Sequence, residues 1–289
     1  MRELTITDVR AVPGDSAFLI DDGTTAILYD TGFGFTGDAI AGKIRTLLGS
    51  RSLDYLFLTH SHYDHALGTS AIVRHFPQVK VVASGYARRI FEKPTALAVM
   101  LEMDRKAAAG YGMEAVVSDS PRVDITVEDG DELVCGSLRW QVIALPGHTR
   151  CSVGYWLASH QLLLSTETLG VRFDNGTCLP SFLVGYQMTL QSFRKAKELQ
   201  PRQILLPHLG LLCDQAGAFL NDSENVTVAA ANLIRHLLAL GMDEDAVLEQ
   251  LTQTLYLPHV EPVYPRDAFL LNTGIMIRLI KTEFNTILQ

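Results

Sequence analysis

Cysteine is scarce, with four residues in 289 (Cys135, Cys151, Cys178 and Cys213) and no CxxC spacing. That excludes a small disulfide-stapled scaffold and agrees with reduced, mostly buried thiols in a cytoplasmic protein. Long apolar runs are also missing. Mean hydropathy is high at +0.15, yet no stretch of about 18 apolar residues occurs. The longest uncharged segment, residues 175–193, contains Asn175, Pro180, Gln187 and Gln191 and reads as a buried or partner-facing loop rather than a membrane span. Positive charge is in the minority, 24 Lys and Arg against 32 Asp and Glu for a net charge of −8, which argues against nucleic-acid binding through the overall field. Charged residues make up 19% and hydrophobic ones 47%, so disorder is excluded and a large core is expected. The opening MRELTITDVR carries charges where a signal peptide needs its apolar stretch, so no secretion signal is read there. Low-complexity segments, solenoid repeats and a flexible linker are absent as well.

What is present is an alternation of strand and helix patterns. The length corresponds to about two domains, or one large α/β domain with an appendage. Strands are expected at 5–12, 17–20 and 24–29, the last two joined through Asp21-Asp22-Gly23 as a hairpin. Residues 37–48 have helical spacing with Gly49 as the stop, 55–59 is a short buried strand, 66–76 a helix and 79–83 a strand. Residues 86–116 read as helical, interrupted by Pro94, and rich in Met and Leu: core packing, or a lid with an apolar wall. Strands return at 125–127, 138–144, 153–157, 162–164 and 203–206. The remainder is helical: 226–240, 243–255 with Asp243 as N-cap, and 266–282.

The most informative residues are His60-Ser61-His62-Tyr63-Asp64-His65, directly after the apolar run 55–59. In extended chain, residues i and i+2 point the same way, so His60 and His62 project together and can share a metal ion. Asp64 and His65 follow where the chain turns into a helix and can face a second ion, imidazole and carboxylate both being good ligands for divalent first-row metals. With nine histidines in the whole chain, three within six residues are not expected of a solvated loop.

This HxHxDH motif at a strand end resembles that of the metallo-β-lactamase-fold hydrolases. The resemblance implies three further ligands, and the chain supplies His148 in Pro146-Gly147-His148-Thr149, Glu167 after Leu164-Ser165-Thr166, and His208 in Leu206-Pro207-His208. It implies that His60, His62 and His148 bind one ion, Asp64, His65 and His208 the other, and Glu167 both. Asp64 and Glu167 would then be the catalytic carboxylates. Asp30, in the Asp30-Thr31-Gly32 element, would accept a hydrogen bond from a ligand histidine and fix its tautomer; as a residue read alone it is equally a turn-forming Asp. The family usually has Asp where this chain has Glu167, so the bridging acid is one methylene longer. The implied fold is α/β, a metallo-β-lactamase-like αββα sandwich of two mixed β-sheets flanked by helices. Residues 1–212 would form the catalytic domain, with 86–116 as a helical lid insertion and 213–289 as a C-terminal helical extension.

The implied cofactors are two divalent metal ions, zinc first, with iron or manganese also suited to an all-N/O set. Such ions lower the pKa of a shared water toward about 7 and polarise a carbonyl, which points to hydrolysis of electrophilic bonds; the resemblance implies a thioester or ester of a small acyl group as the substrate. The layout is nearest to thioesterase and glyoxalase II-type members and to the quinolone-signal response protein, with Met100, Met103, Phe182, Leu183 and Tyr186 as candidates for an acyl pocket. Glyoxalase II uses basic residues to hold glutathione carboxylates, and from Phe219 onward only Arg235, Arg266, Arg278 and Lys281 are basic. A lactonase or phosphodiesterase on the same site, a non-haem iron oxidoreductase, and a regulatory protein acting through a partner are the alternatives. Among partners, a homodimer is open, and neither nucleic acid nor membrane is expected. No GxSxG elbow supports a serine hydrolase. His75, His160, His236 and His259 lie outside the motif positions and read as structural or solvated, and Cys151, three residues after His148, as a small buried side chain.

Overall fold

The computed structural model describes residues 4–285; residues 1–3 and 286–289, at the ends of the two expected domains, lie outside the described residues. The chain forms two compact units: one comprises the residues up to Ala144 together with Cys151–Ser165, the other Leu145–Arg150 and the residues from Thr166 onward.

The first unit opens with β1 (Thr5–Asp8), β2 (Phe18–Asp21) and β3 (Ala26–Tyr29), an antiparallel meander. From β3 the sheet continues in parallel through β4 (Tyr55–Phe57), β5 (Lys80–Ser84) and β6 (Ile125–Val127). Parallel neighbours need crossovers. These are α1 (Gly37–Leu48), then α2 (Tyr63–Ala66) with α3 (Thr69–His75), then α4 (Gly85–Phe91) with α5 (Pro94–Gly110). α1 buries Ile40, Ala41, Ile44 and Leu48 on one stripe and stops at Gly49, whose φ of 60° suits glycine. Four antiparallel strands follow: β7 (Glu132–Cys135), β8 (Leu138–Ala144), β9 (Val153–Leu157) and β10 (Leu162–Leu164). The faces of the two sheets meet at Phe57, which stacks on Tyr155 with ring centroids 4.4 Å apart and takes Trp140 edge-on at 5.7 Å. The Tyr155 hydroxyl donates to Leu58 O at 2.9 Å, and that of Tyr29 to Ser165 O at 2.6 Å, so each buried phenol is satisfied where the sheets meet. This is the expected pair of sheets flanked by helices.

The second unit contains the ribbon β11 (Val171–Arg172) and β12 (Cys178–Leu179), the helix α6 (Tyr186–Glu198), the hairpin β13 (Gln203–Leu206) and β14 (Gly210–Cys213), and the helices α7 (Ala216–Ala239), α8 (Glu244–Leu255) and α9 (Arg266–Asn285). Ile234, Val247, Leu251, Met276, Ile277 and Ile280 form their shared core. Asp243 caps α8 as expected, its side chain accepting from Ala246 N at 2.8 Å.

Several elements differ from the sequence reading. Residues 175–193 are not one loop, because α6 begins at Tyr186; its buried face is Tyr186, Thr189, Ser192, Phe193 and Ala196, and the two small polar residues among these five, Thr189 and Ser192, interrupt the apolar periodicity. α7 starts ten residues ahead of Val226, and β7 and β14 are strands that no strong apolar pattern marks. The 86–116 stretch is helical only as far as Gly110, with Pro94 opening α5. Met100 packs into the first unit's core, and Phe182 and Tyr186 into that of the helices, so these three are core side chains rather than walls of an open cleft. Among the described residues no helix is long and apolar enough to cross a membrane.

α5 also carries a buried acid, Asp104, which accepts from Gly34 N at 2.7 Å. Burial, with the Asp64 and Asp15 carboxylates adding to it, raises its pKa to about 6 against the Gly34 bond. The folded state therefore holds this proton more tightly than the unfolded chain. Its contribution to stability is complete below about pH 4 and is lost as the pH rises through 6. We expect Asp104→Asn, which keeps the acceptor without the charge, to gain about 2 kcal/mol over wild type between pH 5 and pH 8 in urea unfolding with chelator present. A difference independent of pH would contradict this.

Candidate metal centre

β3 and β4 are neighbouring parallel strands, and Asp30 and His60 follow at their carboxyl ends, where loops in such sheets gather ligands. Asp30 N donates to Phe57 O at 2.9 Å, which brings the two loops side by side. His62 is extended, with φ −77° and ψ 154°, and α2 starts at the next residue. His60 and His62 therefore project together, with ring centroids 4.6 Å apart, while Asp64 and His65 come from the first helical turn. The His60 and His65 rings are 4.1 Å apart, and His65 Nε2 is 3.5 Å from Asp64 Oδ2. All four motif side chains converge as the spacing required.

Asp30 organises this half. It is fully buried in the left-handed region, φ 54°. Its Oδ1 accepts from Thr59 N at 2.8 Å; its Oδ2 accepts from Ser16 Oγ at 2.9 Å, Thr59 Oγ1 at 3.0 Å and His65 Nδ1 at 2.8 Å. A carboxylate only accepts, so His65 carries its hydrogen on Nδ1 and offers the Nε2 lone pair. The Thr59 hydroxyl hydrogen likewise points to Asp30, leaving its oxygen to accept from His60 Nδ1 at 3.0 Å. One carboxylate thus sets the tautomer of His65 directly and of His60 through Thr59. Gly32 is obligatory beside it: φ is 68°, and a Cβ would lie 2.3 Å from Asp15 Oδ1.

His148, Glu167 and His208 belong to the second unit. His148 sits in a loop whose Gly147 (φ 146°) packs so closely on α6 that a Cβ would meet Thr189 Oγ1 at 2.1 Å. Ser192 Oγ donates to Pro146 O at 2.6 Å, so the helix that sequence periodicity missed is what anchors this loop. Ser181 meets His148 Nδ1 with its hydroxyl at 2.7 Å and its carbonyl at 3.3 Å. The carbonyl only accepts, so Nδ1 carries the hydrogen and Nε2 faces Glu167 Oε2 at 2.8 Å. Glu167 Oε1 faces His208 Nε2 at 3.5 Å from the turn between β13 and β14.

His148 Nε2 can lie this close to a carboxylate oxygen only when a proton or a metal ion is shared between them. Two ligands each about 2.0–2.2 Å from a common ion lie roughly 3 Å apart, which matches both Glu167 contacts. The donors are imidazole nitrogens and carboxylate oxygens throughout, a set that suits a divalent first-row metal.

The remaining candidates fall elsewhere. Cys151 is buried in the first unit and its thiol donates to Ser61 Oγ at 3.3 Å, inside the HxHxDH motif. His75 pairs with Asp38 at 2.8 Å, and His236 is exposed. His259 packs edge-on against Phe173 at 5.6 Å and, together with Arg172 and His208, lines a cavity of about 160 Å³. No motif marks Arg172 or His259, since they are 87 residues apart in sequence.

A two-sheet sandwich with a His-rich cluster beyond the strand ends defines a class of metal-binding α/β proteins. Residues 12–208 match the metallo-beta-lactamase superfamily, and the chain belongs to that family. A hydroxyacylglutathione hydrolase from Brucella anthropi is 30% identical over 135 residues, which is 45% of this chain and 40% of that protein, so the match spans less than half of the relative's length. Among solved structures, an archaeal metallo-beta-lactamase superfamily protein from Sulfolobus tokodaii superposes with a TM-score of 0.61 at 18% identity, covering 98% of this chain and 99% of the other. A metallo-beta-lactamase family protein from Thermus thermophilus gives 0.64 at 18% identity, covering 98% and 93%.

Asp30→Asn keeps the size of the side chain but removes the charge that orders both tautomers. We expect a 10- to 100-fold loss of metal affinity in chelator competition, with the fold retained by circular dichroism. Unchanged affinity would show that the tautomers are fixed elsewhere.

Proposed function

We propose that the protein is a metal-dependent hydrolase with a dinuclear centre. His60, His62 and His148 hold one ion, Asp64, His65 and His208 the other, and Glu167 contributes to both. The observation that carries this reading is Glu167, whose two oxygens face two different imidazoles, His148 and His208, as a carboxylate shared between ions does. Its extra methylene relative to the family's usual Asp still lets it reach both. Divalent ions bound there, zinc being our first assignment, supply Lewis acidity toward a carbonyl and a more acidic water. The chain's own contribution is orientation: Asp30, Thr59 and Ser181 hold the Nδ1 edges of His65, His60 and His148, so that each imidazole presents Nε2.

The substrate class we propose is a thioester or ester of a small acyl group, in a cytoplasmic setting. Support comes from similarity to a hydroxyacylglutathione hydrolase over 135 residues, alongside a helical C-terminal region.

The test is metal-loaded protein against acyl thioesters, esters, lactones and phosphodiesters. We expect turnover of thioesters or esters, reduced at least about 10³-fold by Asp64→Ala or Glu167→Gln, with metal content by mass spectrometry falling in parallel. Turnover of phosphodiesters alone would refute the acyl assignment. Full activity in both variants would refute the metal mechanism.

A further inference from the structure

The cavity beside His208 lies wholly within the second unit and contains an arrangement that the hydrolytic reading leaves unused. About 160 Å³ in volume, it is lined by Arg172, Phe173, Asp174, Asn175, His208 and His259 among others. That is below the 300–1,000 Å³ of a pocket for a whole drug-sized ligand, and it suits one compact group of a substrate whose reacting bond lies at the metal ligand His208.

Its chemistry is cationic. Arg172, on β11, is half-buried, and its guanidinium carbon lies 6.0 Å from the Phe219 ring centroid. It makes no ion pair with Asp or Glu among the described residues; its neighbour in the ribbon is the thiol of Cys178. Asp174, the acid among the lining residues named, is exposed. Arginine stays charged at any working pH, and a half-buried guanidinium with no counter-ion is costly. His259 lines the same cavity with its Nε2 buried and without a hydrogen-bond partner among the described residues, and its ring is held edge-on to Phe173 at 5.6 Å. A buried polar atom of this kind calls for a ligand or a water. A buried imidazole nitrogen without a partner and a half-buried guanidinium with no carboxylate partner thus border a single small space next to a proposed metal ligand.

We propose that this cavity is an anion subsite, in which Arg172 and His259 grip a carboxylate or phosphate carried by the acyl substrate and so place the scissile carbonyl at the metal centre. The inference rests on the hydrolase reading for what lies at His208. The binding half of it stands on Arg172 and His259 alone. Arg172 offers the bidentate geometry that matches both oxyanions, and His259 adds one N–H donor. Neutral acyl compounds lack the group that satisfies these two residues.

The decisive experiment pairs binding with turnover. Non-hydrolysable thioether analogues, with CH2 in place of the carbonyl, carry a terminal carboxylate, a phosphate or a neutral amide and are titrated calorimetrically into metal-loaded protein. We expect at least one anionic analogue to bind about tenfold or more tightly than the amide. Arg172→Gln should abolish that preference, Arg172→Lys should retain part of it, and His259→Phe should reduce it. The stronger of the carboxylate and phosphate analogues identifies the group. Where the wild type turns over matching thioesters, the anionic-to-neutral ratio of kcat/KM should fall about tenfold in Arg172→Gln, chiefly through KM. Equal affinity of the wild type for charged and neutral analogues, or an unchanged preference in Arg172→Gln, would overturn the proposal. Absence of turnover for every ester and thioester would refute the hydrolase reading instead, while the calorimetric comparison would still decide the anion subsite.

Discussion

The first half of the site depends on a single buried carboxylate. Asp30 has no exposed surface, and burying a charge is tolerable only when it is fully hydrogen-bonded. Its partners come from three places in the chain, Ser16 before β2, Thr59 after β4 and His65 in α2, so meeting the electrostatic demand of one side chain holds three loops in register. The same bonds determine which nitrogen of His65 and of His60 carries the hydrogen. Fold and site chemistry share this requirement: a residue with φ 54° two positions before a glycine that tolerates no Cβ is a strained local arrangement, and here it positions His65 and, through Thr59, His60.

In the second unit a comparable task falls to small polar residues. Ser181 orients His148, Thr189 and Ser192 seat the loop that carries it, and Ser223 donates to Leu169 O at 2.7 Å just after Glu167. His60, His65 and His148 each thus have the Nδ1 edge held by an oxygen of Thr59, Asp30 or Ser181, as precise metal sites require. Glu167 needs this support more than the family's usual Asp would, because its longer side chain has one more torsion to fix.

The proposed ligands were legible as candidates in the sequence because they sit in short segments with fixed spacing. HxHxDH encodes an extended pair followed by a helical turn, and the structure shows that change of conformation at Tyr63. Strands and helices with clean apolar periods, such as α1 and β8, were legible for the same reason. α6 was not, because its buried face includes Thr189 and Ser192, whose function is hydrogen bonding to a loop rather than apolar burial. Met100, Phe182 and Tyr186 looked like pocket material, since apolar side chains carry no mark that separates a core from a cleft. Arg172 and His259 carry no motif, and only the folded ribbon and the loop before α9 bring them to one cavity.

The centre of this account is the proposal that seven side chains serve two ions. The most direct measurement is anomalous diffraction at the metal edge from crystals grown with zinc. The account predicts two peaks per chain, one among His60, His62 and His148, the other among Asp64, His65 and His208, with Glu167 reaching both. No peak at these residues, or a single peak that survives removal of Glu167, would contradict it.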